Sequence, residues 1–198
     1  MLENYKVILG SKSPRRNELL SGLNINFTVK IIDVKEEYPA SLIREEIPMY
    51  LSKLKADNYN LQKGELLITA DTIVCIGNTI FGKPKTKNEA IEMLQKLSGN
   101  THEVITGVTI TTQTRQETFS SITKVTFDEL SKEEIDYYID KYKPYDKAGS
   151  YGIQEWIGYI GITCIEGSYF NVMGLPVQKL YQKLKSFNNE PKFRKQSQ

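Results

Sequence analysis

LLITADTIVCI, at Leu66–Ile76, is the strongest strand pattern in the chain. Its aliphatic and β-branched residues run almost without polar interruption, which predicts a strand that is buried on both faces. Shorter β-rich segments at Tyr5–Gly10 and Ile25–Val34 precede it, and helical patterns alternate with these strands. This order predicts an α/β fold in which helices flank one mixed central sheet.

The remaining elements extend outward from this strand. We expect one domain over residues 1–187, followed by a polar C-terminal tail over residues 188–198. The glycine-bearing loop Lys147–Gln154 is expected to lead into a strand. The predicted helices are Ser13–Gly22, Glu45–Tyr59, Asn88–Leu97, Ser131–Tyr142 and Leu175–Phe187, and the other predicted strands are His102–Thr112, Ser120–Phe127 and Gly158–Glu166.

The composition of the 198 residues is that of an ordinary globular protein. A formal net charge of +2 is too small to predict binding to nucleic acid or to an anionic membrane. No apolar run approaches the roughly 18–20 residues of a transmembrane helix, and no signal-peptide pattern is seen. Cys75 and Cys164 are far apart, which predicts a reducing, cytoplasmic location. The single histidine, His102, excludes two-histidine zinc motifs and is expected to be structural.

Arg15 and Arg16 break a local rule, because they follow Ser13-Pro14 at the expected start of a helix. Cations in a first helical turn oppose the helix dipole, at a cost of about 0.3–1 kcal/mol each. A bound anion would reverse that effect, since backbone N–H groups, guanidinium groups and serine hydroxyls would converge on it. The local pattern leaves two interpretations open, a phosphate site or a basic pair that reaches solvent.

Asp71 lies inside the apolar run, where a carboxylate is expensive to bury unless it is paired or binds a cation. Three interpretations remain open: a metal ligand, a general base, or the partner of a residue such as Lys83 in a salt bridge. Asp71 is expected in mid-strand, between Ala70 and Thr72. The salt-bridge interpretation would place it at a strand end, and the carboxyl end of a central strand is also where α/β sheets place their chemistry.

Lys83 lies between a glycine and a proline in Gly82-Lys83-Pro84, so a stiff loop is expected to hold its charge. A lysine held in this way can bind phosphate as a fixed point charge. The tripeptide alone favours a plain turn with an exposed lysine. Trp156 is expected to pack against other residues rather than to stack on a base.

Six motifs occur in this order along the chain: SKSPRRNELL (11–20), ADTIV (70–74), GKP (82–84), MLQKLSG (93–99) with His102, AGSYGIQ (148–154) and GSYFNVMGLP (167–176). In their order and separations they resemble the Maf family of nucleotide pyrophosphatases. The similarity runs from about Val7 to Val177, nearly the whole chain. It implies a fold similar to the inosine-triphosphate pyrophosphatases, an elongated two-lobed body with a cleft. It also implies a cytoplasmic enzyme that uses Mg²⁺ or Mn²⁺, and it leaves a homodimer open.

The resemblance also implies roles for individual residues. The acidic residue of the Ala-Asp-Thr motif falls on Asp71, the expected proton acceptor, and Glu36 matches an acidic residue after the second strand. Both are also expected ligands of the divalent cation. The loop departs from the family pattern at Lys35 and Glu37, so Glu37 is a candidate substitute for Glu36. The expected catalytic residues are Asp71, Lys83 and Glu36, and the expected substrate-binding residues are Ser11, Arg15, Arg16, Lys55, Thr72 and Gln154.

Three positions mark the substrate branch within that family. Arg15, Thr72 and Gln154 resemble the branch that hydrolyses dTTP and UTP, whereas the 7-methyl-GTP branch tends to carry an aromatic residue, Gln and Glu there. A glutamine offers both the donor and the acceptor that the edge of thymine or uracil needs. The implied reaction converts dTTP, UTP or modified pyrimidine nucleotides to the monophosphate and pyrophosphate. The alternative is a nucleotide-sensing regulatory module linked to cell division or septum formation, which needs no base such as Asp71.

Overall fold

The computed structural model describes residues 2–188, and in this range one seven-stranded mixed sheet carries helices on both faces. The strands are β1 Lys6–Gly10, β2 Phe27–Lys30, β3 Glu65–Ile76, β4 Thr79–Phe81, β5 Thr101–Thr111, β6 Gln116–Phe127 and β7 Ile162–Glu166. The helices are α1 Pro14–Ser21, α2 Glu46–Asp57, α3 Lys87–Leu97, α4 Lys132–Tyr142, α5 Trp156–Gly161, α6 Tyr169–Val172 and α7 Val177–Asn188, with a 3-10 turn at Ala148–Ser150. No helix within the described range is long and apolar enough to cross a membrane.

Strand β3 is the centre of the sheet, as its apolar sequence predicts. The sheet order is β2-β1-β3-β5-β6-β7, with β1 parallel to β3 and β5 antiparallel to it. On one edge, β1 pairs with β3 as far as Thr69, and the short strand β4 pairs with it again from Val74. Residues 70–73 lie between these two pairings. The sheet therefore opens along one edge of β3 at the sequence Ala-Asp-Thr-Ile.

Helix α2 packs on one face of the sheet, and a glycine allows its close approach. A Cβ atom at Gly107 of β5 would lie 2.3 Å from the backbone carbonyl group of Pro48. Side chains then fix the helix: Thr69 donates to the Ser52 carbonyl at 2.7 Å, and the Ser52 and Thr109 hydroxyls are 2.9 Å apart. Because Gly107 is the partner of Asp71 in the β3–β5 register, this contact holds α2 above the middle of β3.

The larger core lies on the opposite face, where α1, α3, α4 and α7 cover the sheet. Alternate residues of β3, including Leu66 and Ile68, pack there with Leu20 of α1, Leu94 of α3 and Leu180 of α7. Consecutive strand residues point to opposite faces. Neighbouring residues of β3 therefore contact α2 on one side and α1 on the other.

Most predicted elements are confirmed within a few residues, including the helix that the Ser131 and Glu134 capping box begins. The prediction of a strand over Gly158–Glu166 is wrong in its first half, because α5 occupies 156–161. There a Cβ at Gly158 would lie 1.9 Å from the Ile153 carbonyl oxygen, so the chain turns tightly into a helix before β7. The loop Lys147–Gln154 accordingly leads into α5, not into a strand.

Smaller differences occur at the ends of elements. Strand β2 is only Phe27–Lys30, shorter than the predicted Ile25–Val34, and β6 begins four residues earlier than predicted. The short elements β4 and α6 were not predicted. The expected tail overlaps α7 at residue 188, and its residues 189–198 lie outside the described part of the chain.

Candidate active site

A cleft of about 350 Å³ opens at the edge of β3 between its pairings with β1 and β4. Asp71 lines this cleft, next to the carboxyl end of β1 but in the middle of β3. The predicted position of Asp71 inside the strand is confirmed, and the carboxyl end that lies beside it is that of the neighbouring strand β1. All nine residues expected at the site line this one cleft: Ser11, Arg15, Arg16, Glu36, Lys55, Asp71, Thr72, Lys83 and Gln154.

Alternating charges connect α2, β3 and two loops along one wall of the cleft. The Lys55 Nζ lies 2.6 Å from Asp71 Oδ1 and 2.8 Å from Glu36 Oε1. The other oxygen of Glu36, Oε2, lies 3.1 Å from Lys83 Nζ. Asp71, Lys55, Glu36 and Lys83 thus form a continuous row, which we call the charge row.

The charge row supplies the positive partner that the buried Asp71 carboxylate needs. The Asp71 side chain is 9% exposed and the Lys55 side chain is 10% exposed, so both charges are largely removed from water. The expected salt bridge exists, but the partner is Lys55 and not Lys83, which pairs with Glu36. Pairing does not exclude catalysis, because the bond uses only the Oδ1 oxygen of Asp71.

Glu36 is held in its charged form. Burial alone would raise the pKa of its carboxyl group, but the hydrogen bonds and charges of Lys55 and Lys83 outweigh burial and lower the pKa to about 2. By contrast, Glu37, the candidate substitute, forms an exposed ion pair with Lys35 at 2.5 Å and does not line the cleft. The position of Glu36 therefore supports it over Glu37 as the acidic residue of this loop.

Arg16 does not simply reach solvent, because three of its five N–H groups are used within the protein. Its Nη1 donates to the Ala70 carbonyl at 2.8 Å, its Nη2 to Thr72 Oγ1 at 3.0 Å, and its Nε to the Gly174 carbonyl at 2.8 Å. The Ala70 carbonyl belongs to the edge of β3 that β1 and β4 leave open. Arg16 therefore satisfies one carbonyl of this open edge, and the three bonds fix its positive charge at the cleft.

Thr72 is likewise bonded within the protein. Its hydroxyl accepts the bond from Arg16 and lies 2.9 Å from the Thr106 hydroxyl on β5. Burial lowers the pKa of the Arg16 guanidinium, and the negative charge of Asp71 counteracts this effect. Thr72 thus orients an arginine whose remaining N–H groups can face a ligand.

The start of α1 adds further polar groups. Ser13 caps the helix by accepting from the Arg16 amide at 3.5 Å, and Pro14 follows at the first helical position, as predicted. The Ser11 hydroxyl accepts from the Ser13 amide at 3.2 Å. Arg15 pairs across the cleft with Asp146, at 3.0 Å between Nη1 and Oδ2. A helix N-terminus and two guanidinium groups therefore meet at one end of the cleft.

Gln154 also lines the cleft, and it contributes an acceptor that is unpaired among residues 2–188. Its Oε1 atom is buried and has no hydrogen-bond partner among the described residues. A buried carbonyl oxygen without a partner costs roughly 1–3 kcal/mol, unless a bound molecule supplies a donor. The amide is therefore a candidate contact for a ligand group that carries an N–H.

Sequence analysis missed four charged residues of the cleft. Lys12 and Asp33 form a pair at 2.9 Å at its mouth, and Asp146 is bonded to the buried Lys147 at 2.7 Å. Lys12 lies inside a motif and Lys147 directly precedes one, so both carried a signal, whereas Asp33 carried none. Among the described residues, the cleft lining has six cations and four carboxylates, an excess of two positive charges. Such a lining favours an anionic ligand.

The donor set fits a divalent cation that a ligand helps to hold. No group of three or more His, Cys, Asp or Glu side chains suited to a metal occurs within residues 2–188. Glu36 and Asp71 do converge, since both contact the same Lys55 ammonium group. Mg²⁺ is commonly bound by one or two carboxylates together with substrate phosphates, and not by an all-protein cage. Two carboxylates beside several cationic side chains in one cleft match the protein's part of that pattern.

Two residues whose side chains often serve in active sites are structural here. His102 is buried, its Nε2 lies 2.7 Å from the Tyr151 hydroxyl, and burial lowers its pKa to about 4. Trp156 packs edge-to-face on Tyr137, with ring centroids 4.8 Å apart, and does not line the cleft. Both agree with the structural roles expected from the sequence.

Comparison with protein families and curated proteins gives a consistent result. Residues 6–187 match the family model described as Maf, Maf-like protein. A dTTP/UTP pyrophosphatase of Phocaeicola vulgatus is 60% identical over 187 residues, covering 93% of this chain and 97% of the relative. A dTTP/UTP pyrophosphatase of Porphyromonas gingivalis W83 is 57% identical over 191 residues, covering 94% and 96%.

Solved structures support the fold. A HAM1 protein from Coxiella burnetii aligns with a TM-score of 0.52 at 12% identity, covering 92% of this chain and 99% of that one. The Staphylococcus aureus Ham1 protein gives a TM-score of 0.51 at 15% identity with the same coverage. At such low identity the likeness concerns the fold alone, and it confirms the predicted mixed α/β architecture.

Proposed function

The chain belongs to the Maf family, and from this membership we propose that it is a nucleoside triphosphate pyrophosphatase that hydrolyses dTTP and UTP. One observation carries the proposal: the charge row and the two arginines of α1 line the same cleft. This is the arrangement that a polyphosphate with a bound cation requires. Curated relatives named dTTP/UTP pyrophosphatase, 54–60% identical to the chain, support the reaction and the substrates.

Asp71 is the proposed proton acceptor. An attacking water molecule gives its proton to the carboxylate as its oxygen bonds to the α-phosphorus, and the bond from that phosphorus to the bridging oxygen of the β-phosphate breaks. The products are a nucleoside monophosphate and pyrophosphate. Lys55 lies 2.6 Å from Asp71 Oδ1 and keeps the carboxylate oriented, which leaves the other oxygen to receive the proton.

Fixed positive charges stabilise the leaving group. Arg15, Arg16 and Lys83 line the cleft. The hydrogen bond to the Ala70 carbonyl of β3 holds Arg16, and the ion pair with Glu36 holds Lys83. Groups that are already oriented need no rearrangement as charge builds up on the phosphate oxygens. Positioning and charge therefore supply most of the catalysis, as in other phosphoryl transfers.

Glu36 and Asp71 are the proposed ligands of Mg²⁺ or Mn²⁺, with the remaining positions left to the phosphates and water. A bound cation of this kind would neutralise charge on the phosphate oxygens. The ordinary ionised state of Glu36 suits this role, because Lys55 and Lys83 hold its pKa at about 2.

Gln154 is the proposed contact for the base. Its Oε1, which has no partner in the described part of the chain, can accept from the N3–H of thymine or uracil, and its amide N–H can donate to a ring carbonyl. Modified pyrimidine nucleotides that keep this edge are included in the proposal. A cytoplasmic location also remains part of the proposal, supported by free cysteines at positions 75 and 164, and a homodimer stays a prediction.

The test is pyrophosphate release from dTTP, UTP, CTP, GTP and 7-methyl-GTP, with and without Mn²⁺. Release confined to dTTP and UTP and dependent on the cation is the expected result. Release from 7-methyl-GTP alone would reassign the substrate. Tight binding of dTTP without any release would instead favour the nucleotide-sensing module, which no described feature of the cleft favours at present.

A further inference from the structure

A four-residue turn presents Gln154 to the cleft. The amide of Glu155 donates to the Gly152 carbonyl at 3.0 Å, which closes a β-turn over residues 152–155 with Gln154 at its third position. The 3-10 turn before it and α5 after it leave this turn without a partner strand. Another part of the protein must therefore fix its orientation.

The hydroxyl group of Tyr138, on the buried face of α4, fulfils this task at both ends of the turn. It accepts from the Gly152 amide at 3.0 Å and donates to the Glu155 carboxylate through a short hydrogen bond. Burial and the Glu155 carboxylate raise the pKa of Tyr138, so the phenol keeps its proton. The same oxygen atom thus holds the first and the last residue of the turn.

The Glu155 carboxylate is held from its other side as well. Its Oε1 lies 3.1 Å from Lys147 Nζ, and the Lys147 side chain is 8% exposed. The fit is tight, because a Cβ at Gly152 would lie 2.8 Å from the Glu155 carboxyl carbon and 3.1 Å from Lys147 Cε. A displacement of Glu155 would therefore move the turn as a whole.

We propose that Tyr138 and Glu155 are positioning residues for base selection, because together they fix the turn that holds Gln154 against the cleft. The proposal rests on the proposed function, in which Gln154 recognises the uracil edge. Neither residue lines the cleft, so neither is expected to touch the substrate. Tyr138 and Glu155 set the orientation of the Gln154 side-chain amide, and this orientation decides which base is bound.

The experiment compares UTP and CTP as competing substrates, since cytosine lacks the N3–H that Gln154 would bind. Tyr138→Phe removes one hydroxyl group and is expected to lower the UTP-over-CTP ratio of kcat/KM about five- to tenfold. The matched control is Tyr59→Phe, which removes another phenol bonded to a carboxylate, at 3.1 Å from Glu65 and away from the cleft. It should leave the ratio unchanged.

A double-mutant cycle separates positioning from general damage. In a Gln154→Ala background, Tyr138→Phe should have no further effect on the UTP-over-CTP ratio, because the group that it aims is absent. If Tyr138→Phe does not fold, Glu155→Ala takes its place and should lower the ratio in the same way. A Tyr138 or Glu155 variant that folds and selects UTP as well as the unmodified protein overturns the inference.

The proposed function fails separately. If the unmodified protein releases no pyrophosphate from UTP, the activity itself is wrong. If it does so, and Gln154→Ala loses selectivity while Tyr138→Phe keeps it, only the positioning role is wrong.

Discussion

Removing the positive charge of Lys55 should destabilise the protein more than the loss of any exposed lysine. In Lys55→Met, the apolar part of the side chain is kept while Asp71 and Glu36 lose their shared partner. Breaking a fully buried ion pair by removing one partner costs about 3–5 kcal/mol. Glu36 is 40% exposed and keeps Lys83, so most of the penalty falls on Asp71, which is 9% exposed.

We therefore expect a loss of about 2–3 kcal/mol in the free energy of unfolding, measured by urea denaturation at pH 7.5. In a chain of this size, that corresponds to a fall in Tm of roughly 5–10 °C. The matched control is Lys53→Met, two residues away on α2. Lys53 pairs with Asp57 at 2.6 Å, but the two side chains are 52% and 45% exposed, so its loss should cost less than about 0.5 kcal/mol.

A second substitution tests the cause. Asp71→Asn removes the uncompensated charge, so the double variant Lys55→Met with Asp71→Asn should regain at least half of the lost stability. The reasoning is refuted if Lys55→Met is as stable as Lys53→Met, or if neutralising Asp71 restores nothing.

Three further outcomes follow from the site and its support. Asp71→Asn should keep the fold by circular dichroism and lose at least about a hundredfold in kcat, whereas full activity would remove the proposed base. Because the folded-state pKa of Glu36 is lowered from 4.5 to about 2, its contribution is complete above pH 4.5 and is lost as the pH falls towards 2. Acid titration monitored by circular dichroism should therefore show a smaller loss of stability over this range in Glu36→Gln. Gly107→Ala should displace α2 through the 2.3 Å contact with Pro48 and lower both Tm and activity. The control Gly82→Ala has open space around its Cβ and should leave Tm nearly unchanged. Equal melting temperatures of the two variants would contradict this explanation of the packing.

Sequence reasoning was strongest where a residue conflicts with its surroundings. Asp71 in an apolar strand needed a partner or a cation, and Arg15 beside Arg16 at a helix start indicated a candidate anion site. All three residues line the cleft. The identity of the partner was not predictable, because it depends on packing between distant segments. Lys55 reaches Asp71 only because Gly107 lets α2 lie close to the sheet.

The turn over residues 152–155 shows a second limit. The glycines of the loop Lys147–Gln154 suggested a loop that enters a strand. The local pattern could not reveal that a buried phenol of α4 would hold both ends of the turn. The prediction of a strand over Gly158–Gly161 was wrong for the same reason, because the tight contact of Gly158 with Ile153 is a tertiary effect. Local propensity alone does not report such contacts.

The charge row means that the cleft carries its own counter-ions. Lys55 and Lys83 are already matched by Asp71 and Glu36, and Arg15 is matched by Asp146. A free phosphate ion that entered the cleft would have to compete with carboxylates for every one of these cations. A nucleotide with a bound metal ion instead offers negative phosphates to the cations and a positive ion to the carboxylates. The abundant inorganic phosphate of a cell should therefore be a poor inhibitor. The charges of the cleft thus favour a nucleotide with its metal ion over free phosphate, in addition to any recognition of the base.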